Sequence, residues 1–290
     1  MESDSTRERL AALVPGIVAA ASFGVCDAIV KLVFAAGIDV LTLALIRGVV
    51  GVVILYFYLR FGATPEPATP RMRNCALVLG VLFAAIVYGL FKAIDLITVP
   101  IAVLTYFIYP LLTGLVASVL GLERLRWRGV LCAIAAFFGL AVMIGAHPAG
   151  LAFAGVAFAL GAAVCRTAIL LLTRAFLAGA DARLSTWYSL VSSTALFVAL
   201  SLGTLNWQPP QTPTGWMAIV GMSVAITSGF LFIFVSTLRV GAFRTALIMN
   251  LEPLLATVLS ALLLGEVITP IQGLGAGIML AALVAFQLWR

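Results

Sequence analysis

Long apolar stretches alternate with short polar segments along the whole chain. A transmembrane helix requires about 20 mostly apolar residues. Ten stretches fit this length: Ala12–Ala36, Val40–Phe61, Asn74–Asp95, Val99–Gly121, Arg128–Ala146, Leu151–Ala178, Leu184–Thr204, Thr214–Leu238, Phe243–Gly265 and Pro270–Trp289. The runs are continuous rather than alternating, which excludes a β-barrel. Because lipid cannot satisfy backbone polar groups, the pattern predicts an all-α integral membrane protein with ten transmembrane helices.

The composition narrows the class of protein further. Of the 290 residues, 63% are hydrophobic and 10% are charged, whereas soluble domains are about 45–50% apolar and about 25% charged. A soluble enzyme, a disordered chain and a nucleic-acid-binding domain are therefore excluded. No Walker-type phosphate loop, HExxH motif or Cys/His cluster is present. The sequence thus predicts no metal and no cofactor.

The placement of lysine and arginine predicts the orientation. With the N-terminus in the cytoplasm, thirteen basic residues fall on the cytoplasmic side and none in the outer loops. Cytoplasmic loops are enriched in these residues. We therefore predict a multi-pass protein of the cell inner (plasma) membrane with both termini cytoplasmic. The net charge of +6 then reflects topology and implies no nucleic-acid partner.

The two halves of the chain share a weak repeat. Six residues of the fourth span and its end recur 143 positions later. Leu104, Pro110, Leu111, Leu112, Leu120 and Glu123 match Leu247, Pro253, Leu254, Leu255, Leu263 and Glu266. This divides the chain into residues 1–146 and 147–290, with five helices each. Because five is odd, the second half enters the membrane from the opposite side. Such inverted repeats build many secondary transporters.

The second copy of the repeat carries a recognisable motif. It runs through Pro253-Leu254-Leu255, Leu264-Gly265-Glu266, Thr269, Gln272 and Gly275, and a weaker first copy contains Pro110, Leu120-Gly121, Glu123 and Gly129. This pattern resembles that of the EamA-type drug/metabolite transporter superfamily, and most closely its aromatic and neutral amino-acid exporters. Arg47 also lies where that family usually has an arginine.

The resemblance has consequences for the architecture. It implies a central cavity lined by the first, third, fourth, sixth, eighth and ninth spans, with the fifth and tenth packed outside. In the tenth span, Gly273 and Gly277 form a GxxxG pair, which predicts close contact with another helix.

Charged residues inside the predicted spans are candidates for substrate contact. A charge at mid-bilayer costs about 2.5–3.5 kcal/mol on insertion scales, so it normally faces a partner or water. Asp27 and Lys31 are spaced to pair on one helix face. Asp27 also corresponds to Arg166 under the repeat, as a structural ion pair or as separated contacts for a zwitterion. For Arg47 we favour anchoring to backbone carbonyls.

The prolines at matching positions indicate broken helices. Proline has no N–H group, so Pro110 and Pro253 free the carbonyl oxygens four residues earlier, those of Tyr106 and Met249. Broken helices at corresponding places in two halves point to a transporter binding site, the alternative being a passive kink. The neighbouring candidates for substrate binding are Tyr109, Asn250 and Glu252.

Three further side chains complete the candidate substrate site. Tyr88 and Trp187, together with Tyr106 and Tyr109, could line a roomy apolar cavity. Lys92, near Asp95 at the outer end of the third span, either snorkels to the interface or forms an outer gate.

The sequence therefore predicts a secondary transporter that exports aromatic or neutral amino acids by alternating access. Its partners are a small-molecule substrate and membrane lipid, and the oligomeric state stays open. A transporter of another small metabolite or drug (a nucleoside, a vitamin or an organic cation) is the alternative. A membrane-embedded enzyme is a weaker one, because it would need clustered Asp, His or Ser.

Overall fold

The computed structural model describes residues 2–124, 126–145, 152–205, 207–265 and 267–288, and within them not the side chains of residues 2–10, 31, 264, 287 and 288. This part of the chain is helical, with twelve segments: α1 Glu2–Ala35, α2 Val40–Phe61, α3 Pro70–Leu96, α4 Val99–Tyr106, α5 Tyr109–Val119, α6 Trp127–Ile144, α7 Phe153–Phe176, α8 Ala182–Thr204, α9 Pro213–Val240, α10 Ala242–Ile248, α11 Leu251–Leu264 and α12 Pro270–Leu288.

Nine membrane-crossing units are long and apolar enough to span a bilayer in the described ranges. In this count α4 with α5, and α10 with α11, each form one interrupted span. The tenth predicted stretch contains a shorter apolar helix, Pro270–Phe286. The all-α membrane architecture is confirmed, while the count of ten remains a prediction. The predicted boundary at residues 146 and 147 lies outside the described residues.

Local sequence signals explain where the helices begin. The Asp39 carboxylate accepts hydrogen bonds from the N–H groups of Leu41 at 2.9 Å and Thr42 at 3.2 Å, and so caps α2. Thr69 caps α3 just before a proline in its first turn, and Thr212 caps α9 in the same way. Side chains of this type satisfy N–H groups that the first helical turn leaves unpaired.

Helices of the first half of the chain pack against helices of the second half. The first span, α1, packs on the eighth, α9, and the sixth span, α7, packs on the third, α3. The first span also contacts the ninth through α11, while the sixth contacts the fourth through α4 and α5. The second span packs on the seventh, and the fifth, α6, packs on α12. Each pair has its counterpart when the halves are interchanged.

The α6–α12 contact depends on glycines other than those predicted. A Cβ atom on Gly139 of α6 would lie 2.7 Å from the Met279 nitrogen, and one on Gly275 would lie 2.4 Å from the Met143 nitrogen. Gly273 and Gly277 have open space at the same position. The close contact predicted at Gly273 and Gly277 is therefore not made by any described helix of this chain, because that face of α12 points away from α6.

Candidate functional site

Both interrupted spans break just before the matching prolines. The fourth span breaks at Phe107 and Ile108, two residues ahead of Pro110, and the ninth breaks at Met249 and Asn250 ahead of Pro253. The ring of a proline cannot supply the hydrogen bond that would continue the preceding turn. The breaks place backbone polar groups and the side chains around them inside the helical bundle.

Two threonine side chains bind to the backbone beside the first break. The carbonyl oxygen of Tyr109 accepts hydrogen bonds from the hydroxyl of Thr113 at 2.7 Å and from that of Thr167 on α7 at 3.3 Å. The two hydroxyl groups are 3.3 Å apart. The sixth span is thereby fixed against the fourth beside the break. Neither threonine stood out in the sequence, because isolated threonines occur throughout the spans.

The guanidinium of Arg166 lies in a ring of aromatic side chains. Its Cζ atom is 5.1 Å from the ring centre of Phe23, 5.7 Å from Tyr109 and 5.9 Å from Phe83. These distances fall within the range of a cation–π interaction. Arg166 is 3% exposed, and its Nε atom has no hydrogen-bond partner in the described part of the chain. This arginine is held by ring faces and keeps hydrogen-bonding capacity for another group.

Two carboxylates lie near this arginine. Asp27 on α1 is in electrostatic range of Arg47 on α2 and Arg166 on α7, and Glu252 on α11 is in range of Asp27 and Arg166. Gly24 brings α1 close to α11, because a Cβ atom there would lie 3.1 Å from the Glu252 carbonyl oxygen. Four spans thus bring two acidic and two basic side chains together.

The Asp27 side chain is exposed although it lies inside the first span. Charged groups from three other helices surround it, so the exposed carboxylate faces a space within the bundle. Among the described residues, the ion pairs are Lys92–Asp95 and Arg183–Asp181. Asp27 and Arg166 therefore approach each other without a direct ion pair. The predicted partner Lys31 has its side chain outside the described residues.

Arg47 does not anchor to backbone carbonyls as predicted. No hydrogen bond joins its guanidinium to a residue that the structure describes. Instead it lines a small cavity between α2, α3, α8 and α9, together with Phe83, Ser193 and Phe230. The anchoring prediction is wrong because this part of α2 faces other side chains rather than the broken ends of a helix. Arg47 belongs instead to a group formed with Asp27, Arg166 and Glu252, which we call the charged cluster.

Two other predicted residues also lie at the breaks. Asn250 is 2% exposed and donates a hydrogen bond from Nδ2 to the Leu247 carbonyl oxygen at 3.1 Å. Tyr106 packs against Tyr109, with ring centres 5.4 Å apart. Both side chains therefore support the shape of the break and lie next to the cluster.

Three predicted residues lie elsewhere. Tyr88 is 54% exposed and packs against Phe158 at the outside of the bundle. Lys92 is exposed and pairs with Asp95 at 3.6 Å, as expected for a side chain that reaches the interface. Trp187 packs against Tyr56 of α2, with ring centres 6.2 Å apart. The structure does not bring these three side chains to the charged cluster.

The phenylalanines around the site carry no signal in the sequence that distinguishes them. Phe83 and Phe230 have ring centres 4.0 Å apart, and Phe23 lies 6.1 Å from Phe230. With eighteen phenylalanines in the chain, composition gives no means of separating these from lipid-facing ones. No group of three or more potential metal ligands occurs among the described residues.

The sequence of this chain matches a known family, and its fold matches that of a known protein. The family model of the "EamA-like transporter family" matches the chain twice, over residues 10–145 and 153–286. One solved crystal structure aligns over 96% of this chain and 97% of its own, with a TM-score of 0.79 and 17% sequence identity. At that identity the likeness shows a shared fold. No sequence among the curated proteins matches the chain significantly.

Proposed function

Because the chain belongs to the EamA-like transporter family, we propose that it is a secondary transporter that exports aromatic and neutral amino acids from the cytoplasm across the cell inner membrane. The observation that carries the proposal is the charged cluster, in which Asp27 and Arg166 lie close together inside the membrane without a direct ion pair. Membership of a transporter family supports transport rather than catalysis.

The charged cluster fits the two ends of a zwitterion. The exposed Asp27 carboxylate, with Glu252 nearby, is suited to an ammonium group. The free Nε of Arg166, and Arg47 on the opposite helix, are suited to a carboxylate. Hydrogen bonds between charged partners are roughly twice as strong as neutral ones. Substrate binding would thus offset part of the cost of keeping these charges in the membrane.

The aromatic rings fit the side chain of such a substrate. Phe23, Phe83 and Tyr109 lie 5.1–5.9 Å from the Arg166 guanidinium. The ring of Phe230 lies 4.0 Å from that of Phe83 and 6.1 Å from that of Phe23. Aromatic pairs at these separations gain about 0.5–1.5 kcal/mol beyond area burial. A ring or branched aliphatic group beside the charged cluster would extend this packing, which favours aromatic and neutral amino acids over small polar ones.

The exchange of helix pairs supports alternating access through an inverted repeat of residues 1–146 and 147–290. The two corresponding half-helices differ in burial: six of the seven residues of α10 are buried, but three of the eight of α4 are buried. In addition, α10 packs on α5 across the two halves. One end of the molecule is thus closed by α10, while the end at α4 is looser. With cytoplasmic termini, this conformation faces outward.

Flux through purified protein in liposomes tests the proposal. Labelled aromatic, branched, small and charged amino acids are offered with and without a proton gradient. We expect saturable flux of the first two groups by wild-type protein and by the control Lys92→Gln, which alters a charge outside the site. Flux of organic cations or nucleosides alone would replace the substrate assignment. Turnover of a lipid without flux would favour the enzyme alternative.

Modified substrates separate the two charged contacts. An N-acetylated amino acid lacks the ammonium group, and an amino-acid amide lacks the carboxylate. Wild-type protein should transport the unmodified amino acid faster than either modified compound. We expect Asp27→Asn to transport the N-acetylated compound as well as the unmodified amino acid, and Arg166→Gln to do the same for the amide. Equal discrimination by both variants would contradict the assignment of Asp27 and Arg166 to opposite ends of the substrate.

A further inference from the structure

A second cavity opens at the ends of the spans on the predicted cytoplasmic side, away from the charged cluster. It has a volume of about 380 Å³, and its walls come from the segment after α5, the start of α6, the end of α7, the α9–α10 junction and α12. Ligand sites typically have volumes of about 300–1,000 Å³. The cavity is therefore large enough for a molecular group of several atoms, and it joins spans from both halves of the chain.

The lining of this cavity is strongly basic. Arg124, Arg126, Arg174 and Arg244 all contribute to it, and none of them forms an ion pair with a described side chain. The only acidic residue among the lining residues, Glu123, accepts hydrogen bonds from the backbone N–H groups of α10. One carboxylate therefore lies among four guanidinium groups, of which that of Arg174 also donates a hydrogen bond to the Leu238 carbonyl oxygen at 3.0 Å. Such an arrangement suits a phosphate, which arginine binds through paired hydrogen bonds.

Exposed apolar side chains on α6 mark the level of the membrane interface beside the cavity. On α6, Trp127 is 68% exposed, Leu131 49%, Ile134 50% and Phe138 60%. Their spacing places them on one face of the helix. Trp127 lies at the end of the helix beside the basic lining, where an amphipathic ring marks the membrane interface. This apolar stripe faces away from Gly129, the α6 residue that lines the cavity, so it indicates the depth of the cavity in the membrane rather than a path out of it.

We propose that this cavity binds an anionic phospholipid, with its phosphate headgroup among the four arginines. Basic pockets between membrane helices on the cytoplasmic side are suited to such headgroups. The cavity is wider than inorganic phosphate needs and lies at the membrane interface, so a lipid headgroup fits both features. Because the lining joins α5, α7, α10 and α12, the bound lipid stabilises the closed end of the molecule.

Lipid titration of the full-length protein tests this site. Delipidated protein in a neutral detergent is titrated with phosphatidylglycerol, phosphatidylcholine or inorganic phosphate, and lipid adducts are counted by native mass spectrometry while Tm is measured in parallel. The test variant is Arg124→Gln/Arg126→Gln. The matched control, Arg60→Gln/Arg73→Gln, removes two exposed arginines from the same predicted face but outside the cavity lining.

We expect wild-type protein and the control to bind phosphatidylglycerol with equal affinity and to show a rise in Tm. The test variant should bind it about 30-fold more weakly, which corresponds to about 1 kcal/mol for each arginine near the membrane surface. Equal affinity of the test variant and wild type would overturn the proposal. An equal loss of affinity in the control would attribute binding to general surface charge. If inorganic phosphate bound as tightly as the lipid, the ligand would be a soluble anion. Either result overturns the lipid site.

Discussion

Asp27 and Arg166 lie on different helices and approach each other without a direct ion pair. At the residue scale this distinguishes two interpretations of the embedded charges. A structural ion pair would make each single substitution harmful, because it leaves an unpaired buried charge, and the double substitution milder. Separate substrate contacts would make the double substitution at least as harmful as either single one.

We therefore predict that Asp27→Asn and Arg166→Gln each lower kcat/KM for flux by about 10–150-fold, since a hydrogen bond to a charged group contributes about 1.5–3 kcal/mol. The Asp27→Asn/Arg166→Gln variant should recover no activity. Flux in liposomes at matched protein levels measures this, with Lys92→Gln as control. Recovery in the double variant to above either single variant would restore the ion-pair interpretation.

At the element scale, the contact between α6 and α12 depends on backbone proximity at one glycine pair. A methyl group on Gly275 would lie 2.4–2.7 Å from backbone atoms of Gly139 and Met143, whereas one on Gly273 meets open space. Neither side of the Gly275 contact can move like a flexible side chain. Close packing of this kind replaces hydrophobic burial as the force that joins helices in lipid.

Gly275→Ala should thus separate α6 from α12 and lower the free energy of unfolding by more than about 1 kcal/mol, typical of overpacking. Gly273→Ala, on the same helix, should be neutral or stabilising, because alanine has the higher helix propensity. Thermal unfolding in detergent measures both variants. A larger loss of Tm for Gly273→Ala than for Gly275→Ala would refute this assignment of the contact.

A second element-scale contact closes one end of the molecule. The Glu123 carboxylate, beyond the end of α5, accepts hydrogen bonds from the N–H groups of Ala242 and Phe243, at the start of α10. Caps of this type contribute about 0.5–2 kcal/mol. Since α5 and α10 belong to different halves, the cap holds the two halves together where α10 is buried.

Glu123→Ala should therefore open this end more often, with a smaller effect for Glu123→Gln, whose amide oxygen can still accept one hydrogen bond. In a background with the four native cysteines replaced, Ala246→Cys reports the change, because Ala246 is fully buried in α10. We expect its maleimide labelling rate to rise about 2–30-fold with Glu123→Ala, which is the population shift that the cap energy allows. An unchanged labelling rate would show that other contacts close this end.

At the scale of the whole molecule, the sequence predicts the spans and their breaks better than it predicts which side chains face inward. Continuous apolar runs and two matching prolines are strong local signals, and the interrupted spans occur at those prolines. Inward orientation is harder to predict because lipid is as apolar as the protein interior. Tyr88 and Tyr109 are both tyrosines within apolar spans, yet Tyr88 is 54% exposed and Tyr109 is fully buried.

The same reason explains the missed aromatic ring around Arg166. Phe23 and Phe83 lie on helices with apolar residues on every side, so no amphipathic pattern distinguishes their inward face. Embedded charges are the exception, because their cost in lipid gives them a preferred direction. Asp27, Arg47, Arg166 and Glu252 do lie close together, and charge is thus the residue property from which this part of the site could be foreseen.

The orientation of the whole molecule follows from charge as well, and labelling from the two sides of the membrane tests it. The α2–α3 connection carries arginines at both of its ends, whereas the α3–α4 connection has none. In the same cysteine-free background, we expect Asp95→Cys to react with an impermeant maleimide in intact cells, and Arg60→Cys to react only in inverted vesicles, because arginine-rich connections stay in the cytoplasm. The reverse labelling pattern would invert the topology. It would also turn the end closed by α10 outward, and the proposed lipid site with it, so this measurement fixes which leaflet supplies the phospholipid.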